Sequence, residues 1–236
     1  PPAHSPVCML PPFTAQAINS TLSAKAADIH PAAARGLALI AKSLSANADH
    51  PNAPRQIAAC LMQLMAPVCN PGPAVFATQL SATDAFALLL QAIKKDPENC
   101  VSLYNAAASK FPRARVAPLK LDPDRIELPL WRLDPTSRQR LPVFSHELAD
   151  IPIEQLAPRA LLLTALLRAF ACDLFIHGLG GGLYDQITEA WLSVWLPDWK
   201  LAPTLVVSAT LHLPFQELPP LPVSYTHLTL PTNREV

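Results

Sequence analysis

His177, Tyr184, Asp185, Thr188 and Glu189 gather around a stretch in which four of the chain's six glycines, Gly178, Gly180, Gly181 and Gly182, fall within five positions. An imidazole, two carboxylates and hydroxyls at such spacing are the parts of an acid and base pair around a bound molecule. His177 is the first candidate, because imidazole titrates near neutral pH and serves as acid, base or hydrogen-bond donor. Asp185 is its candidate catalytic partner. Asp185 and Glu189 stand four apart and share one face of the helix expected after the glycines, with Thr188 beside them. Structural explanations compete at each position: His177 can fix the turn by bonding a carbonyl, Asp185 can complement a helix dipole, and Glu189 can be solvated.

The glycines imply either backbone at positive φ or an approach so close that a Cβ would obstruct it. A glycine-rich turn between an extended segment and a helix also presents backbone amides and a partial positive charge, which together hold phosphate or carboxylate. Gly178, Gly180, Gly181, Gly182, Tyr184 and Thr188 are therefore the candidate ligand-binding set. The spacing is not that of a phosphate loop, since no Gly-Lys-Ser/Thr ending follows, and Gly178-Leu179-Gly180 is half of a dinucleotide fingerprint. Arg159 is a further candidate, able to grip an anion bidentately; its structural alternative is a pairing with Glu154 or Asp150. Arg132, Arg138 and Arg140 surround an expected hairpin turn, where they either face anions or are simply solvated. With no Gly-x-Ser-x-Gly elbow and no His-Glu-x-x-His helix, the corresponding hydrolase and zinc-protease readings drop out.

The elements that must position these groups follow from periodicity. Phe13 to Phe111 reads as helical, with one start at Ser81 to Asp84 and another at Asp96-Pro97-Glu98, where cap, first-turn proline and dipole-matching acid coincide in a helix reaching about Lys110. The texture then changes. Val116 to Leu121 and Arg125 to Leu133 alternate as strands do, Asp134-Pro135-Thr136-Ser137 is turn chemistry, and Arg140 to Phe144 returns as a second arm. Prolines inside both arms predict an edge or an irregular pairing. Glu154 to about Cys172 reads as a buried helix, Leu174 to Ile176 as a short extended segment, Leu183 to Trp195 as a second helix, and Leu205 to Leu211 as a strand. The division is a mostly helical segment over 1–112, an α/β segment over 113–222, and a tail over 223–236.

Composition narrows the classes. Half of the 236 residues are hydrophobic, enough for a sizeable core. Eighteen basic residues balance eighteen acidic ones, without the basic excess that nucleic-acid binding requires. The most apolar run, Ala160 to Ile176, is interrupted by Arg168 and Asp173 and falls short of the roughly 20 residues of a membrane span. Cys8, Cys60, Cys69, Cys100 and Cys172 are widely spaced, with no zinc-like interval, and fit a reducing cytoplasm with each thiol buried as a small hydrophobe. Neither a metal nor a particular cofactor is implied. The 27 prolines, scattered along the chain, argue against one long helical bundle.

The motif from Phe175 to Thr188 resembles one shared by a group of bacterial proteins, Phe-Ile-His-Gly-x-Gly-Gly-x-x-Tyr-Asp-x-x-Thr, and the similarity extends over roughly Ala117 to Phe215. More distantly, Arg159-Ala160-Leu161-Leu162, a glycine-rich turn and a tyrosine-bearing helix resemble the bacillithiol-synthase family of cysteine-adding ligases. That resemblance implies an α/β fold in which this chain is a fragment of a Rossmann-like core with a mostly helical N-terminal portion, binding an anionic small molecule or nucleotide. The family's Arg-Pro is Leu163-Thr164 here, and its Gly-Gly-Pro-x-Glu turn is replaced by Gly180 to Tyr184, with Asp185 nearest the acidic position. Val223 to Val236 resembles translated sequencing adapter, and the opposite end lacks a signal peptide, so the chain reads as an internal piece. A different class remains open: a noncatalytic binding or assembly domain in which the glycines only let helices pack closely.

Overall fold

The computed structural model describes residues 10–26, 31–70, 72–137 and 139–210. Cys8, Arg138, Leu211 and the tail over 223–236 lie outside them. Three helices come first, α1 (Ala15–Ala26), α2 (Pro31–Ala46) and α3 (Ala53–Met65), the last capped by the Asn52 side chain accepting from the Arg55 amide. Two more follow, α4 (Asp84–Lys95) and α5 (Pro97–Lys110). Thr83 caps α4 through the Phe86 amide, and Asp96 caps α5 through the Asn99 amide with Pro97 in the first turn, as local chemistry predicts.

A four-stranded antiparallel sheet is built on β2 (Arg125–Asp134), which pairs with β1 (Leu121–Asp122), β3 (Gln139–Phe144) and β4 (Leu156–Pro158). The hairpin of β2 and β3 is the expected one. Its ladder slips between Leu128 and Trp131, on either side of Pro129, a residue with no amide to offer. The expected strand at Val116 to Leu121 is reduced to its last residue. Upstream, Leu119 exchanges its amide and carbonyl with the side chain of Asn105, which takes the place of a neighbouring strand.

The expected helix from Glu154 is also corrected. Leu156–Pro158 forms β4 against β2, and α6 (Ala160–Phe170) begins only after Arg159. Pro158 explains the break, since it disfavours helical backbone at Ala157 and has no N–H to donate. After α6 come β5 (Phe175–His177), α7 (Leu179–Trp195) and β6 (Thr204–Val206), and β5 and β6 pair in parallel. The chain therefore mixes helices with small sheets, the α/β class expected, and its only parallel pairing among the described residues spans α7.

One apolar cluster runs from Leu80 to Trp195 and joins α4, α5, the sheet, α6 and α7. Among the described residues none of α1, α2 or α3 belongs to it. At its centre the Trp191 indole donates to the Cys100 carbonyl at 3.1 Å, and its ring meets Tyr104 edge-on at 5.1 Å. This ties α7 to α5 and so fixes the helix that carries the candidate site. No helix among the described residues is long and apolar enough to cross a membrane.

Candidate functional site

The glycines are not a loop. Helix α7 starts at Leu179, not near Leu183, so Gly180, Gly181 and Gly182 form its first turn, and Gly72 alone among the described glycines has positive φ. The alternative expectation, close approach, holds at two positions. A Cβ on Gly181 would lie 2.5 Å from His177 Nδ1, and one on Gly182 would lie 2.7 Å from Val206 Cγ2. Bare backbone there lets α7 settle against β5 and β6. At Gly178 and Gly180 a Cβ would meet nothing within 4 Å.

Gly178 is the N-cap of α7, with extended backbone and no side chain to accept a hydrogen bond. The Gly182 amide donates to the Gly178 carbonyl at 3.2 Å, the first internal bond of the helix. The amides of Leu179, Gly180 and Gly181 have no such partner, which leaves a helix amino end, with its partial positive charge, open at the carboxyl end of a strand.

Behind this turn lies a buried charged cluster centred on Arg168, in the last turn of α6. Its guanidinium donates from Nη1 to Asp185 Oδ2 at 2.7 Å, from Nη2 to Glu189 Oε1 at 2.8 Å and from Nε to the Ala202 carbonyl at 2.8 Å. The Ala202 amide returns a bond to the Arg168 carbonyl at 2.8 Å. Arg168 and Asp185 are each only 3 % exposed, whereas Glu189 is 53 % exposed. The pair with Asp185 is therefore desolvated, and that with Glu189 is a rim contact. Sequence reading placed Arg168 only as an interruption of an apolar run. The signal available was an arginine in the last turn of an apolar helix, with two acids four apart on the next.

His177 is packed edge-on against Phe175 at 4.6 Å. Its Nε2 lies 3.3 Å from Asp185 Oδ2 but out of line for a hydrogen bond, so that atom is buried without a partner. Asp185 Oδ1 and Thr188 Oγ1 are likewise unpartnered, which places three of the five such side-chain atoms among the described residues in this one cluster. Native interiors leave few buried polar atoms unpaired, so this cluster concentrates the unmet hydrogen-bonding capacity of the described residues.

No known family, curated protein or solved structure matches the chain.

Among the remaining candidates, His177, Asp185, Thr188 and the glycines are brought together. Tyr184 is 43 % exposed, with no hydrogen bond among the described residues. Arg159 is bound to β2 rather than to the glycine turn. It pairs with Glu127 at 2.6 Å, in place of the expected Glu154 or Asp150, donates to the Leu130 carbonyl and lies 3.9 Å over the Trp131 ring. Arg140 faces the same ring at 5.7 Å, and Arg132 Nε is buried without a partner. Cys60 and Cys100 are buried as expected, and burial pushes the Cys100 thiol far above its ordinary range; Cys172 is half-buried and Cys69 exposed, against expectation. Among the described residues no group of three His, Cys, Asp or Glu could hold a metal ion. The chemistry available is thus amide and imidazole hydrogen bonding around an anion, with a carboxylate behind the imidazole.

Proposed function

We propose that this chain is part of a Rossmann-like ligase of the cytoplasm, similar to the bacillithiol synthases, that seats an anionic small molecule or nucleotide at the amino end of α7. The observation that carries the reading is the β5–α7–β6 unit. A parallel strand pair is joined by a helix whose uncapped, glycine-rich first turn directly follows the first strand. In folds of that kind anions bind at this turn, outside the carboxyl ends of the strands. The amides of Leu179, Gly180 and Gly181 hold the anion, and His177, backed by Asp185, gives or takes a proton at the reacting group. Arg159, committed to Glu127, takes no part.

Titration calorimetry with adenosine triphosphate, pyrophosphate and a small dicarboxylate tests this directly. Saturable binding of at least one is expected, weakened by Gly180→Ala, whose added methyl meets no protein atom within 4 Å. Absence of saturable heat from every anion would sink the reading.

A second reading has its own observation. Gly181 and Gly182 are bare where His177 and Val206 come closest, as a noncatalytic binding or assembly domain using glycine for packing alone requires. His177→Ala separates the two if the fold survives. Lost ligand binding supports the ligase, and an unchanged ligand profile with altered assembly supports the packing role.

A further inference from the structure

We infer that Arg168 is the positioning residue of this site, setting through Asp185 which nitrogen of His177 meets the ligand. The inference rests on the reading of α7 as the ligand seat, but its geometry is independent of any ligand. A carboxylate only accepts hydrogen bonds. Asp185 Oδ2, held by Arg168 Nη1 at 2.7 Å, is 3.3 Å from His177 Nε2. A neutral imidazole facing it therefore carries its proton on Nε2, and a small rotation of the ring brings that N–H into line. Such bonds are commonly loose without ligand and tighten with it.

The other nitrogen is then a lone-pair acceptor. Nδ1 has no hydrogen bond among the described residues and lies against Gly181, where a Cβ would come within 2.5 Å. That places it beside the unbonded amides of the first turn of α7. Arg168 also holds the carbonyl of Ala202, ahead of β6, and the carboxylate of Glu189. Asp185 thus cannot swing away from the imidazole without breaking its bond to Arg168 of α6, which is itself anchored at the segment entering β6. Gly181 in turn keeps Nδ1 reachable, which gives that glycine a chemical role besides a packing one.

Long-range proton–nitrogen NMR of the full chain labelled with nitrogen-15 histidine reads the tautomer without ligand or activity. The expected result is one dominant form of His177, protonated on Nε2, which becomes a mixture in Arg168→Gln while Arg168→Lys keeps more of the original form. A wild-type ring protonated on Nδ1, or an unchanged tautomer in a folded Arg168→Gln, would overturn the inference. If Arg168→Gln does not fold, Asp185→Ala decides: it removes the oxygen that faces both Arg168 Nη1 and His177 Nε2, so loss of the single Nε2-protonated form is expected and an unchanged tautomer refutes the assignment. Because the spectrum needs no ligand, failure here is distinct from failure of the anion-binding titration.

Discussion

Arg168 and Thr188 carry opposite expectations for stability. Replacing Arg168 with Leu leaves Asp185 buried without its cation, and loss of one member of a buried pair costs about 3–5 kcal/mol. Urea unfolding of Arg168→Leu should show a loss of that size, and one below about 1 kcal/mol would place Asp185 in contact with water. Thr188 is fully buried with an unpartnered hydroxyl, and an unpaired buried group costs about 1–3 kcal/mol. Thr188→Val should leave the ligand-free protein as stable or more stable, whereas a clear loss in the same assay would reveal a partner for the hydroxyl. Asp185, Thr188 and Glu189 were legible as a group because helical spacing places i, i+3 and i+4 on one face, and His177 because it flanks the glycines. Arg168 was not, since its acids lie on another helix and no local pattern links α6 to α7.

At the scale of elements, the starts of α4 and α5 were legible because a cap and a dipole-matching acid, joined in α5 by a proline, act within four residues. The start of α7 was not. Glycine lowers helix propensity, yet tertiary contact with β5 and β6 here outweighs that cost at Gly181 and Gly182. The two kinds of glycine should therefore separate on mutation. Thermal unfolding of Gly180→Ala should show a gain of up to about 1 kcal/mol, and Gly181→Ala a loss of about 1–3 kcal/mol as the imidazole is displaced. Equal effects would mean that His177 yields freely. β4 was read as helix because its place is set by pairing with β2, 24 or more residues earlier in the chain, and periodicity over three residues carries no such information.

In the β2–β3 turn, the Ser137 hydroxyl, then the Thr136 and Ser137 amides, hold the Asp134 carboxyl below its ordinary range, with a lesser contribution from Arg132. A carboxyl lowered by folding stabilises above its unfolded pKa, and that contribution is lost as pH falls through the folded value. Carbon-detected NMR titration should place Asp134 below an ordinary aspartate, and Ser137→Ala should move it back up.

Across the whole molecule, one apolar cluster unites α4, α5, the four-stranded sheet, α6 and α7, while α1, α2 and α3 contribute nothing to it among the described residues. Between α1 and α2 lies an apolar cleft of about 440 Å³, lined by Phe13, Ile18, Leu37, Ile40 and Leu44. Cooperative opening follows buried contact, so amide exchange in α2 and α3 should be faster than in α5 and α7 by a clear margin. Uniform protection across these four helices would show that α2 and α3 share the stability of the core. The mixed class was legible from the change in texture after Pro112, but the joining of α4 and α5 to the sheet was not, because packing partners far apart in sequence leave no periodic trace.

Along α7 the indoles of Trp191 and Trp195 are stacked at 5.0 Å and only 6° from parallel. Two chromophores so close share their electronic excitations, and the chiral helix that holds them gives the coupled transition an optical sign. The protein therefore carries an internal spectroscopic gauge on the helix of its candidate site. Any event that changes the angle between the two rings, such as release of Trp191 from the Cys100 carbonyl and the Tyr104 edge, is written into the circular dichroism of that pair without a label.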